Sequence, residues 1–143
     1  MLRGINPILG PEILHALRAM GHGDELVIVD ANYPAVSNNN RLMRIDGVDA
    51  VTVVDAVLSL MPLDSFVDYA ALRMEVVGDP KQIPPVCREF AKVVQKHEPG
   101  FKIGSLERFA FYERAKTTFA TIATGETRFY GNLILKKGVI PPK

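Results

Sequence analysis

Two hydrophobic patterns alternate along the chain: apolar positions at helical spacing and short unbroken apolar runs. Ile13, Leu14, Leu17 and Met20 follow Gly10-Pro11, and proline suits the first helical position, so a helix is predicted over 11–20. Gly21 then offers the left-handed residue that commonly ends a helix. Leu26-Val27-Ile28-Val29 is apolar throughout, the mark of a strand covered on both faces. Asn32-Tyr33-Pro34 stops it, and a polar loop over Ser37-Asn38-Asn39-Asn40 leads to a short strand over 42–45 and a turn at Asp46-Gly47. The stripe Val51, Val54, Val57, Leu58 and Met61 predicts a second helix over 50–61, stopped by Pro62.

The same alternation continues to the C-terminal side. A strand is predicted over 70–77, closed by Gly78-Asp79-Pro80. A helix starting near Pro84-Pro85 turns Val86, Phe90, Val93 and Val94 inward, and a strand follows over 101–106. Ser105 is the expected N-cap of a fourth helix over 108–115. Strands over 119–124 and 132–135 flank a turn at Gly125-Glu126-Thr127. Strands alternating with helices predict an α/β fold whose largely parallel sheet is covered on both faces. There is no internal repeat or low-complexity tract, so residues 1–143 read as one domain.

Composition narrows the partners. The chain has 143 residues, 48% hydrophobic and 23% charged, enough for one core and one domain. Seventeen basic and sixteen acidic side chains leave a net charge of +1, so the concentrated positive charge that nucleic acids or anionic membranes require is missing. The single cysteine, Cys87, rules out an internal disulfide and a cysteine-built zinc site, and on the apolar side of its helix it reads as filler. No apolar run approaches the roughly 18 residues of a membrane span. Residues 1–7 show neither a long apolar stretch nor a small-residue cleavage site. A cytoplasmic protein with no nucleic-acid or membrane partner is expected.

Histidine is the side chain that titrates near neutrality unaided, which makes the three histidines the first acid–base candidates. His15 lies opposite the apolar stripe of the first helix and reads as solvated. His97 closes the third helix, where a cation complements the dipole. His22 stands between Gly21 and Gly23, so a small ligand could reach both ring and backbone; the plainer reading is a turn histidine bonded to a nearby carbonyl. Asp24 is the nearby candidate partner for that ring, and Asp24 and Glu25 otherwise read as solvated.

Asp30 directly follows the buried run, at the carboxyl end of a strand, where open α/β sheets bind ligands. It equally suits an aspartate closing its own turn. Arg108 and Tyr112 share a helical face and can recognise hydroxyl or carboxylate groups, or can form an ordinary surface arginine–aromatic pair. Arg114 and Lys116 read as solvated. Tyr130 and Asn132, two apart beside the last strand, offer neutral donors and acceptors suited to sugar hydroxyls, or cover the core edge and tie down a turn. No GxxxxGK[ST] phosphate loop, dinucleotide-binding glycine triplet or GxSxG elbow is present, and no close histidine pair supports a metal site.

Met20-Gly21-His22-Gly23-Asp24-Glu25, Asp30-Ala31-Asn32-Tyr33-Pro34, the run Arg108-Phe109-Ala110-Phe111-Tyr112-Glu113-Arg114-Ala115, Thr124-Gly125-Glu126 and Tyr130-Gly131-Asn132 together closely resemble the L-fucose mutarotase family, a branch of the ribose pyranase/fucose mutarotase group. The resemblance runs over nearly the whole chain in order and spacing. It implies a three-layer α/β/α fold, with sites at subunit contacts in ring-like or dimeric homo-oligomers. It assigns proton transfer to His22 and sugar binding to Asp30, Arg108 and the segment Tyr130 to Asn132. The implied activity is interconversion of the α and β anomers of a free monosaccharide, L-fucose before ribose or galactose, with no cofactor, metal or covalent intermediate. A ribose-type pyranase and a non-catalytic sugar-binding component of a transport or regulatory system are the alternatives. The enzyme reading requires the His22 ring and the Asp30 carboxylate to share a cleft, within one chain or between neighbouring chains.

Overall fold

The computed structural model describes residues 1–39 and 41–143, so Asn40 of the predicted polar loop lies outside the described residues. Ten elements follow in order: α1 (Pro11–Ala19), β1 (Glu25–Val29), β2 (Leu42–Ile45), α2 (Ala50–Leu58), β3 (Ala71–Met74), α3 (Pro85–His97), β4 (Ile103–Leu106), α4 (Arg108–Ala115), β5 (Ala120–Thr124) and β6 (Leu133–Lys136). The strands form one sheet in the order β2-β5-β1-β6-β3-β4. Five run in one direction; β6 alone is reversed, between β1 and β3. Only residues 125–132 separate β5 from β6, too few for the helical crossover that a parallel pairing needs.

The pleat divides the core. Leu26 and Ile28 point toward α1, α2 and α3, with Val54, Phe90 and Val94 around them. Val27 and Val29 point the other way, against Phe111 and Ala115 of α4 and against Tyr33 and Ala35 of the segment after β1. Each of Leu26, Val27, Ile28 and Val29 is 0% exposed. The fold is therefore three-layered α/β/α with a largely parallel central sheet. Among the described residues, no helix is long and apolar enough to cross a membrane.

Several predicted boundaries move, each for a local reason. Gly21 does not end α1 in the left-handed region. That conformation falls at Gly23, with φ +86°. The Lys137 ammonium instead donates to the carbonyls of Leu17 (2.7 Å) and Met20 (2.5 Å), a cation closing a helix C-terminus from another segment. Ser105 does not cap α4. It lies in β4 and donates to Glu75, while Glu107 accepts the amides of Phe109 and Ala110. The second helix ends at Leu58, and β3 ends at Met74. Arg114 and Glu25 are not solvated singles: they pair at 2.8 Å and tie α4 to the start of β1.

The 125–132 segment passes hard against the turn before α2. The Gly125 amide donates to the Val48 carbonyl, and a Cβ on Gly125 would lie 2.1 Å from the Asp46 carbonyl oxygen. Backbone cannot yield there as a side-chain tip can. Gly125→Ala should destabilise the protein by about 1–3 kcal/mol or more, the scale of overpacking. Gly47→Ala, where nothing lies within 4 Å, should stay within about 0.5 kcal/mol of wild type. Urea unfolding of the two variants checks this contrast, and equal midpoints would contradict it.

Candidate active site

A cavity of about 340 Å³ opens beyond the carboxyl ends of β1 and β3. Asp30, Asn32, Tyr33, Arg108, Tyr112, Tyr130 and Asn132 form its polar side, and Met74, Val77 and Phe129 its apolar side. Four of the five residues singled out from the sequence, Asp30, Arg108, Tyr130 and Asn132, therefore line one space. His22 does not.

Asp30 is 4% exposed and held on every side by short bonds. One carboxylate oxygen accepts the Asn32 amide (3.0 Å) and the other the Gly131 amide (3.1 Å), while the Asp30 amide donates to the side-chain oxygen of Asn132 (2.9 Å). Burial pushes its carboxyl up, and the donors from Asn32, Gly131 and Asn132 oppose that shift. The side chain closes its own turn, as one sequence reading had it, and also fronts the cavity.

Tyr130 and Asn132 are brought together by a kink, not by strand alternation. Tyr130 has φ +63°, the only positive value at a non-glycine position among the described residues, and it precedes β6. At Gly131 a Cβ would lie 2.7 Å from the Glu126 side chain and 3.3 Å from that of Asp30. The Tyr130 hydroxyl oxygen accepts the Val77 amide at 3.1 Å, which leaves its own proton to be donated elsewhere. Across the cavity, Arg108 donates from Nε to the Tyr112 hydroxyl at 3.4 Å. Asn38 donates to the Tyr33 hydroxyl (2.7 Å) and the Tyr112 carbonyl (3.2 Å). Burial pushes the Tyr33 phenol up to about 12, so it stays neutral. The sequence placed Asn38 only in a polar loop; no local pattern marks it as the amide that orders two tyrosines.

An ion pair holds the kinked segment. Glu126 is buried, and its two oxygens accept from Nε and Nη2 of Arg128, each at 2.9 Å. Arg128 also pairs with Glu89 of α3, and the Glu126 carbonyl accepts the Ala31 amide at 2.8 Å. The chain that leaves Asp30 is thereby tied to the segment that leads to Tyr130 and Asn132.

His22 lies at the opposite end of β1. The expected partner Asp24 is engaged elsewhere, accepting the Gly21 amide at 2.7 Å. His22 Nε2 lies 3.1 Å from an oxygen of Asp64, a buried residue 42 positions away that sequence spacing could not connect to it. Burial opposes ionisation of Asp64, but the Phe66 amide and the His22 ring outweigh it and hold the carboxyl below the usual carboxylate range. The His22 side chain is 46% exposed and its ring sits 5.5 Å from that of Phe66. At roughly 3.3 Å per residue, the five residues of β1 put about 16 Å of strand between the loop that carries His22 and Asp30. Within one chain the two do not share a cleft.

Residues 3–140 match the RbsD / FucU transport protein family, and the chain belongs to that family. It is 44% identical to the fucose mutarotase of Bos taurus, with 100% of this chain and 97% of that one aligned. It is 41% identical to the L-fucose mutarotase of Actinobacillus pleuropneumoniae over the full length of both. The crystal structure of the fucose mutarotase of Streptococcus pneumoniae in complex with L-fucose superposes with a TM-score of 0.90 at 44% identity, covering 98% of this chain and 100% of that one.

Arg128 holds the Glu126 carboxyl below its ordinary value of 4.5. A depressed folded value means the pair stabilises the protein above about pH 4.5 and ceases to do so as pH falls through the folded value. Arg128→Met should lower stability at pH 7 and flatten the dependence of stability on pH below 4.5. Urea midpoints measured from pH 3 to 7 test this; an unchanged slope would contradict it.

Proposed function

We propose that this protein is a mutarotase that interconverts the α and β anomers of free L-fucose by acid–base catalysed ring opening and closure. The carrying observation is the cavity itself. One buried carboxylate and a set of fixed neutral donors and acceptors face an apolar wall of Met74, Val77 and Phe129. Neutral hydroxyl-binding groups suit a sugar, and the apolar wall suits the C6 methyl group that L-fucose carries in place of a hydroxymethyl. The full-length similarity to proteins named fucose mutarotases supports the same reading. Ribose, lacking that methyl group, would leave the wall unused.

The reaction moves protons and no other group. The anomeric hydroxyl loses its proton as the bond between C1 and the ring oxygen breaks, and the ring oxygen takes up a proton. The C1–C2 bond of the open aldehyde rotates, and the ring oxygen closes on the other face of C1 with the transfers reversed. Asp30 and Arg108 hold hydroxyls, Asn132 orients Asp30, and Tyr130 completes the pocket, with its proton available to the sugar. His22 shuttles the proton at the anomeric centre or the ring oxygen, and it does so from a second copy of the chain. The half-exposed imidazole and the 75% exposed Phe66 beside it form the surface that such a copy presents. The functional unit is thus a homo-oligomer with its sites at subunit contacts. We place it in the cytoplasm, a reading supported by a single free cysteine, Cys87, with no partner for a disulfide in the sequence.

A second reading, a sugar-binding component of a transport system without physiological catalysis, is favoured by the description of the family as transport proteins. Saturation-transfer NMR on free L-fucose separates the two. Wild-type protein should accelerate anomer exchange, His22→Ala should lose about 10²–10⁴-fold of that rate with its fold intact, and Asp30→Asn should weaken sugar binding. Binding without accelerated exchange would select the transport reading, and a His22→Ala protein as fast as wild type would remove this histidine from the mechanism.

A further inference from the structure

Val77 stands on a turn that follows β3. The Asp79 amide donates to the Val76 carbonyl at 3.1 Å, and Gly78 between them takes φ +79°. The Val77 side chain belongs to the apolar wall of the cavity, and its amide donates to the Tyr130 hydroxyl. We infer that Arg73, from the far face of the sheet, is a positioning residue that sets this turn and, through it, the preference for a sugar with a methyl group at C6; this rests on the function proposed above.

Leu72 and Met74 point toward α4, so the Arg73 side chain between them points to the face that carries α3, away from the cavity. Arg73 is 7% exposed, and a guanidinium is permanently charged. No carboxylate pairs with it among the described residues; Nη1 donates to the Met74 carbonyl and Nη2 to the Pro80 carbonyl, each at 3.3 Å. A buried charge without a counter-ion is destabilising, and an apolar side chain of similar length would fill the same place without that cost. Packing alone therefore does not explain an arginine here. A planar fork that reaches both ends of the turn does.

The start of the turn has its own anchor, because the Glu75 amide donates to the Leu106 carbonyl at 2.8 Å. Beyond it, the Arg73–Pro80 bond ties the turn back to β3, and the Val77–Tyr130 bond ties it across to the kink before β6. Without the fork the far end of the turn is free to swing. Val77 then withdraws from Met74 and Phe129, and the wall no longer distinguishes a methyl group from a hydroxymethyl group.

L-Fucose and L-galactose differ only at C6, methyl against hydroxymethyl, so together they read the wall. In saturation-transfer NMR over a range of sugar concentrations, wild-type protein should favour L-fucose. Arg73→Met should lose about tenfold of that preference, through KM and not kcat, the scale of one group in an apolar pocket. Its urea midpoint should equal or exceed that of wild type, since the unpaired charge is gone. Hydrogen exchange at the Val77 amide should quicken about tenfold or more while the β1 amides stay protected. Arg73→Lys, which keeps one donor, should fall between the two proteins in both readouts. An Arg73→Met protein that retains either the wild-type preference or the wild-type Val77 protection would overturn the inference. So would one that unfolds or melts well below wild type, because Arg73 would then serve the whole fold. Wild-type protein that accelerates exchange of neither sugar overturns the proposed function itself; a selective wild type beside an equally selective Arg73→Met removes the role of Arg73 alone.

Discussion

The length of one buried strand constrains everything else in this protein. β1 lies between β5 and β6, both sides of its backbone are paired, and both of its faces are covered. A strand in that position can neither bend nor slide, since a slip of one residue would exchange its two packed faces. His22 enters it and Asp30 leaves it, so two groups close in sequence are held at opposite ends of a rigid rod. A monosaccharide is far shorter than that separation. The half-exposed imidazole, bonded to Asp64 and tilted against the Phe66 ring, therefore lies outside the Asp30 cavity of its own chain, and the proposed function needs a second copy to bring the two together.

The cavity at the other end is built by backbone as much as by side chains. Residues 125–132 turn under the Asp46 carbonyl at Gly125, are clamped by Glu126 and Arg128, and kink at Tyr130 in the left-handed region. That kink carries a strain cost of about 1–3 kcal/mol, which the surrounding bonds sustain. Its product is a phenol and an amide aimed at the same small volume as the Asp30 carboxylate. Charge is kept low: apart from Asp30 and the exposed Arg108, the polar groups facing the cavity are neutral. Under the proposed function, those groups hold the hydroxyls while the sugar opens, rotates and closes.

The fold was legible wherever one stretch of chain carries its own signal. The unbroken run from Leu26 to Val29 announces a strand buried on two faces, and the stripes through Val54 and Phe90 announce helices packed on one side of it. Termini were less legible, because the residue that ends an element can come from elsewhere. Lys137, far along the chain, closes α1 where Gly21 had been expected to, and Glu107 caps α4 where Ser105 had been. The same division runs through the site. Asp30, Arg108, Tyr130 and Asn132 sit at element ends that an α/β sheet brings to one edge, so their types and positions alone single them out. Asp64 meets His22 across 42 positions and Asn38 meets Tyr112 across 74, and nothing in their neighbourhoods marks those pairings.

A mixing experiment tests the shared site most directly. His22→Ala and Asp30→Asn proteins, each expected to be slow in exchange at L-fucose concentrations too low to offset the weakened binding, are combined under conditions that let subunits trade places and are then assayed together. If His22 of one copy serves the Asp30 cavity of another, random 1:1 mixing rebuilds intact sites and returns up to about a quarter of the wild-type rate. Mixtures of freely exchanging subunits that remain as inactive as their components would contradict a site assembled from two chains.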